Sequence, residues 1–155
     1  MEIDDIYNEI VMEHSMNSPY KKDLKNPTCS THAHNPSCGD DITLNIKFED
    51  GKIVDASFTG SGCAISQSST SIMIETLLGK TIDEAKHIVD VFVSMIDRKP
   101  ISKEDKALLK NARAFESVKN MPARVKCALL AWKTAQNILD EQKWMPKFLE
   151  DIKKN

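Results

Sequence analysis

The chain has no apolar run approaching the ~18 residues a membrane helix needs. Its opening, Met1-Glu2-Ile3-Asp4-Asp5, lacks the basic-then-apolar order of an export signal. A membrane span and a secretory leader are therefore not expected, and the expected location is the cytoplasm. Nor is there a surplus of positive charge: 21 Lys and Arg stand against 23 Asp and Glu, a net −2. That balance argues against nucleic acid or an anionic membrane as partner. There is no internal repeat and no low-complexity tract. Glycine and proline are sparse, at five and six.

What is there is the composition of an ordinary globular protein, 41% hydrophobic and 28% charged over 155 residues. One domain over residues 1–155 is expected, with 141–155 as a C-terminal helical extension. A chain of this size buries about 68–70% of its unfolded surface and needs no disulfide staples. Four cysteines are nevertheless present. In a reducing compartment, cysteines set among turn residues read as metal-binding or catalytic before they read as disulfides. Charge is unevenly spread: residues 1–79 carry 5 basic against 12 acidic side chains, residues 80–126 carry 11 against 7, and residues 127–155 carry 5 against 4. Solvated helix faces account for such a split, and so would a protein partner of complementary charge.

Periodicity orders the chain as follows. Ile3, Ile6, Tyr7, Ile10, Val11 and His14 recur at helical spacing and predict an amphipathic helix over 3–17. From Asn17 to Ser37 the period vanishes and Pro19, Pro27 and Pro36 appear, which reads as a long loop. Ile42, Leu44, Ile46 and Phe48 then alternate with polar residues. Asp50-Gly51 signals a type I′ turn, and Val54, Ala56 and Phe58 alternate on the return strand. That hairpin has one wet face and needs a third strand or packed helices over the other. A helix follows over 64–78, closed by Gly79. Thr81 and Glu84 form a capping-box pattern opening a helix to about Ile96. Short pieces at 102–105 and 116–121 precede Pro122, which opens a long helix to about Leu139. A last helix is expected from about Met145, with Trp144 and Phe148 read as core before a partner contact. Strands first and helices after make the fold class α+β, a small antiparallel sheet packed against helices.

Each cysteine has two readings. Cys38 lies in Asn35-Pro36-Ser37-Cys38-Gly39-Asp40, where Gly39 lets the backbone turn so that Cys38 and Asp40 aim at one point. Thiolate and carboxylate together suit zinc or iron; a plain turn before a strand is the alternative. Cys63 follows Gly60-Ser61-Gly62 at a helix start, where close backbone approach and the helix dipole favour a thiolate ligand. A small buried cysteine at a strand–helix corner reads equally well. Cys127, one turn into the helix from Pro122, has the spacing of a core residue, yet Arg124 and Lys126 beside it would lower its thiol pKa. Cys29 sits in Asn26-Pro27-Thr28-Cys29, a near copy of the Cys38 motif without the Gly-Asp. His32 and His34 lie between the copies, so a local Cys-His-His-Cys cluster is open on residue type, although an exposed or auxiliary role suits a proline-bounded loop better. His14 has core-face spacing and reads as a half-buried imidazole; His87, in mid-helix, reads as solvated. The hydroxyl run Ser66–Ser71 suits either close helix packing or the polar rim of a site.

Three strings in order, Asn35-Pro36-Ser37-Cys38-Gly39-Asp40, Gly60-Ser61-Gly62-Cys63-Ala64-Ile65-Ser66 and Pro122-Ala123-Arg124-Val125-Lys126-Cys127-Ala128, resemble the iron–sulfur scaffold superfamily that includes IscU and the N-terminal part of NifU. The resemblance runs from the first helix to about residue 140. It is to the SufU branch, where Lys, here Lys126, precedes the third cysteine in place of a ligand histidine and the second and third cysteines are further apart. It implies an IscU-like fold and a Zn²⁺ ion held by Cys38, Asp40, Cys63 and Cys127. It implies zinc-dependent sulfur transfer: Cys38 takes persulfide sulfur from a pyridoxal-phosphate cysteine desulfurase and passes it to downstream iron–sulfur assembly proteins. Such a protein acts as a sulfurtransferase or as an activator of the desulfurase. Arg124 matches a position tied to the transfer site and is taken with Cys38 as catalytic. Three thiolates and one carboxylate around Zn²⁺ carry a net −2, which Arg124 and Lys126 offset. The alternative is a scaffold on which a [2Fe–2S] cluster is assembled, since the same ligands accept iron. The duplicated Asn-Pro-x-Cys with His32 and His34 departs from the pattern and looks like an insertion, which leaves Cys29 without an assigned role.

Overall fold

The computed structural model describes residues 9–37 and 39–143. The first part of the 3–17 helix, Cys38, and the expected last helix with Trp144 and Phe148 lie outside the described residues. Helix α1 (Glu9–Met16) leads into β1 (Cys29–Asn35), β2 (Asp40–Glu49) and β3 (Lys52–Ser61). Then come α2 (Ala64–Leu77), α3 (Ile82–Ile96), α4 (Lys103–Leu108), a 3-10 helix (Lys110–Asn120) and α5 (Pro122–Lys143). The strands form one antiparallel sheet in the order β1-β2-β3, as the α+β expectation requires.

The β2–β3 hairpin closes through Asp50 and Gly51 at φ 52° and 74°, the paired positive values of a type I′ turn. Ile42, Leu44, Ile46, Ala56 and Phe58 are buried on the face covered by helices. Val54 is not among them. The register slips at Lys47/Phe48, so that Lys47 pairs with Asp55 and Phe48 with Ile53. This bulge turns Ile53 inward and leaves Val54 44% exposed.

The long loop expected over 17–37 is corrected by β1, an edge strand paired with β2 from Cys29↔Ile46 to Asn35↔Asp40. Its residues are small or polar, so they carry no apolar alternation. What fixes them is tertiary: Cys29, Thr31 and Ala33 share the face of Ile46, Leu44 and Ile42, and α5 packs over it. Ser30, His32 and His34 point to the opposite, exposed face. On that face Ser30 Oγ donates to Asn45 Oδ1 (2.7 Å) and Asn45 Nδ2 donates to the buried Ser57 Oγ (3.2 Å).

The helices follow the local signals closely. Thr81 and Glu84 make the reciprocal bonds of a capping box at the start of α3. The acceptance of two hydrogen bonds from Thr81, backbone first, holds the Glu84 carboxyl below its ordinary pKa. The short piece expected at 102–105 is α4, capped by Ser102, and the piece at 116–121 is the end of the 3-10 helix. In α1, Val11 is fully buried, Ile10 is 45% exposed and His14 reaches α2. His14 Nδ1 bonds Ser71 Oγ at 2.6 Å, and its Nε2 lies 3.4 Å from Glu75 Oε2. His87 is exposed, as expected, and bonds Asp105.

Helix α2 is buried along almost its whole length, hydroxyl run included. That run serves packing. Ser68, Thr70 and Thr76 return their hydroxyls to carbonyls one turn back, at Ala64, Ser66 and Ile72. Ser69 joins α2 to α5: its Oγ donates to the Ala128 carbonyl (2.7 Å) and accepts from Trp132 Nε1 (2.9 Å). Trp132 in turn stacks on Phe92 of α3, ring centroids 3.9 Å apart. The junction fixes the part of α5 that carries Cys127.

Candidate metal centre

Asp40, Cys63 and Cys127 come from three different elements and converge. Their ligand atoms all lie within 4.8 Å of one another. Asp40 is the first residue of β2 and is fully buried. Cys63 follows β3 and caps α2, its Sγ accepting from Ser66 N at 3.4 Å. Cys127 is 1% exposed on α5, so it is a core residue and a member of the cluster at once. Cys29, Cys63 and Cys127 are all reduced thiols.

Glycine at 62 makes this convergence possible. A Cβ there would fall 2.7 Å from Asp40 Oδ1 and 3.2 Å from Ser66 Oγ, closer than side chains approach. The neighbouring backbone amide, Cys63 N, donates to Asp40 Oδ1 at 3.0 Å. The other carboxylate oxygen, Asp40 Oδ2, is buried with no hydrogen-bond partner. A buried carboxylate oxygen without a partner is costly, and a cation between it and two thiolates removes that cost. Two sulfurs and one oxygen at this spacing are a donor set for zinc or iron, one ligand short of a tetrahedron.

Cys38 lies outside the described residues; the residues on either side of it are held in place. Asn35 is buried; its Oδ1 accepts from Ser37 N (3.2 Å) and its carbonyl from Gly39 N (2.9 Å). Gly39 takes φ +71°, the left-handed conformation glycine tolerates best, and the next residue is Asp40. Asn35 organises this loop and was not singled out from the sequence. The signal for it was present, since Asn before Pro is a turn-forming pair whose side chain bonds backbone amides two residues on.

Arg124 and Cys127 are three residues apart on α5, one above the other on the helix surface. Lys126 is exposed and lines a groove of about 350 Å³ with His34, Pro36, Leu129, Leu130 and Lys133. Cys29 does not join the centre. It begins β1 at the far end from Asn35, half-buried, with Gln142 Nε2 3.5 Å from its Sγ. Burial, with Glu141 second, pushes its thiol pKa up. The local Cys-His-His-Cys cluster is also not formed: Cys29 faces α5, whereas His32 and His34 lie on the other side of the sheet.

A cluster of two thiols and a carboxylate that could hold a metal ion sits at the junction of a three-stranded antiparallel sheet and two helices, in a protein of the α+β class. Residues 6–136 match the NifU-like N terminal domain. The chain belongs to that family. It is 37% identical over 134 residues to the iron–sulfur cluster assembly scaffold protein IscU of Thermotoga maritima, covering 86% of this chain and 92% of that one. It is 35% identical over 134 residues to the zinc-dependent sulfurtransferase SufU of Bacillus subtilis, covering 86% and 89%. Among solved structures it superposes with TM-score 0.81 and 39% identity on a candidate iron–sulfur cluster assembly scaffold protein for the SUF system from Fervidobacterium islandicum, over 89% of this chain and 99% of that one. A NifU-like N-terminal protein from Brucella abortus gives TM-score 0.75 at 29% identity, over 91% and 98%. The resemblance read from the three cysteine strings thus holds, and both IscU and SufU proteins stand among the relatives. Among the described residues no helix is long and apolar enough to cross a membrane.

Proposed function

We propose that this protein works in iron–sulfur cluster biogenesis as a zinc-dependent sulfur carrier. In this reading Cys38, Asp40, Cys63 and Cys127 hold Zn²⁺, a cysteine desulfurase is the donor, and iron–sulfur assembly proteins are the acceptors. The observation that carries the reading is the buried, unpartnered Asp40 Oδ2 beside the thiols of Cys63 and Cys127. Lys126 in the position preceding the third cysteine, and a SufU relative named as a zinc-dependent sulfurtransferase, favour zinc.

Bound zinc would keep its thiol ligands deprotonated and resistant to oxidation. The chain's own residues do the rest. The thiolate of Cys38 attacks the terminal sulfur of the desulfurase persulfide. The S–S bond of that persulfide breaks, the desulfurase cysteine leaves as thiolate, and Cys38 carries the sulfur as a persulfide with no net change of oxidation state. Gly39 and Asn35 fix the chain on either side of Cys38. Arg124 supplies positive charge one turn from Cys127, where thiolate charge accumulates. The groove lined by Pro36, Leu129 and Leu130, with Lys126 and Lys133 at its wall, gives a partner access beside that loop.

The test is a desulfurase assay with the protein added. The wild type should stimulate turnover and Cys38→Ala should not; stimulation intact in Cys38→Ala contradicts the transfer role. A second reading, a scaffold on which a [2Fe–2S] cluster is built, rests on the same ligands and on the IscU relatives. Elemental analysis and an absorption spectrum of the purified protein separate the two. Zinc with no visible band supports the carrier, whereas a brown iron-containing protein supports the scaffold.

A further inference from the structure

The exposed face of the sheet brings two histidines and an aspartate close together. His32 and His34 are two residues apart on the edge strand β1, so their imidazoles stand on the same face. Asp41 of β2 is paired in register with His34. Its carboxylate lies between the two rings: Oδ1 is 2.5 Å from His32 Nε2 and Oδ2 is 3.9 Å from His34 Nδ1. Asp40 and Asp41 are successive residues of one strand, one buried and the other half-exposed, so they serve opposite faces of the sheet. The His32–Asp41 contact by itself is an exposed ion pair of small worth. Two imidazoles and a carboxylate on one face of a strand pair have a further use.

We propose that His32, His34 and Asp41 bind a divalent transition-metal ion of the zinc or iron(II) type, separate from the thiolate centre. Two nitrogens and one oxygen are the donor set of open three-ligand sites, which leave the remaining positions to water or an incoming group. The strand pairing holds the three Cα positions rigidly. The three ligand atoms do not all lie within 4.8 Å of one another as they stand, but the side chains are about half exposed, so closing on an ion calls for side-chain rotation in solvent and no core rearrangement. Imidazole nitrogen sets the preference against Ca²⁺ and Mg²⁺, which take oxygen ligands. His34 also lines the groove shared with Lys126, so an ion held here would sit at the edge of the groove that borders the Cys38 turn.

Cobalt(II) titration into the metal-free, untagged chain tests this without any activity assay. The thiolate centre and the histidine site have different spectra, because only sulfur ligation gives intense charge-transfer absorption in the near ultraviolet. The wild type should take up two equivalents, one raising that absorption and one adding only weak visible bands. His32→Ala/His34→Ala should lose the second equivalent and keep the charge-transfer band, which also reports that the variant is folded around its thiolate centre. Asp41→Asn should weaken the second equivalent, and Cys29→Ser should keep both. Saturation of the wild type at the sulfur-ligated equivalent alone overturns the proposal, as does a second equivalent that survives in the double variant. A wild type with weak visible bands but no charge-transfer band would contradict the thiolate centre while supporting this one.

Discussion

Two near-identical strings bracket β1, and the fold treats them in opposite ways. Asn26-Pro27-Thr28-Cys29 enters the strand and Asn35-Pro36-Ser37-Cys38 leaves it. At the entry, Asn26 takes φ 53°, Thr28 bonds across to Ile46 and Phe48, and Cys29 ends half-buried against the last turns of α5. At the exit, Asn35 is buried and bonds Ser37 and Gly39, and the chain passes within two residues to a carboxylate packed among thiols. The motif alone does not make a site. What differs is the neighbourhood: an acidic, amide-bearing helix end at Cys29, and at the other end the Gly62 corner with two further cysteines.

Variants that act on one end only would sharpen this contrast. The largest effect belongs to Cys63→Ala. Zinc bound to the folded wild type should raise its stability by about 4.1 kcal/mol at a thousand-fold excess over Kd, seen as a rise in Tm that a chelator reverses. Cys63→Ala should show little of that rise, and Cys29→Ala should show all of it. Asp40→Asn is expected to split by metal state: zinc retention falls, yet the metal-free protein is as stable as the wild type or more so, since a buried carboxylate oxygen without a partner is removed. Denaturant midpoints with and without zinc measure both.

Gly62→Ala should come next, at about 1–3 kcal/mol of strain, because its Cβ would strike Asp40 Oδ1. Zinc transfer to a competing chelator should be faster than in the wild type. Ser69→Ala strands the buried Trp132 N–H and should cost about 1–3 kcal/mol by denaturant melt. The smallest effect concerns Cys29. Its pKa is raised above the ordinary 9.0 by burial first and Glu141 second, so at pH 8 less of it is thiolate than in the unfolded chain. Alkylation followed by mass spectrometry should label it more slowly in the folded protein, and the rate should still be climbing past pH 9.

The same contrast explains what could be read from the sequence. The capping box at Thr81, the type I′ turn at Asp50-Gly51 and the helix from Pro122 are local, and they were legible because their determinants lie within a few residues. Read one by one, Asp40, Cys63 and Cys127 each had a plain structural alternative; only the resemblance carried by the three strings pointed to them together, and the structure brings them together. Strand β1 was not legible, because its small and polar residues become a strand only against β2 and α5. The inversion at Val54 depends on a bulge that no alternation pattern announces. The hydroxyl run of α2 stayed undecided because the partners of Ser69 and Ser71 lie 63 and 57 positions away, at Trp132 and His14.

The most direct test of the central claim is zinc content across the four Cys→Ala variants purified alike. The account predicts that the wild type and Cys29→Ala hold about one equivalent more than Cys38→Ala, Cys63→Ala and Cys127→Ala, whatever the exposed histidine site retains through purification. Zinc lost from Cys29→Ala, or retained in full by Cys63→Ala and Cys127→Ala, would contradict it.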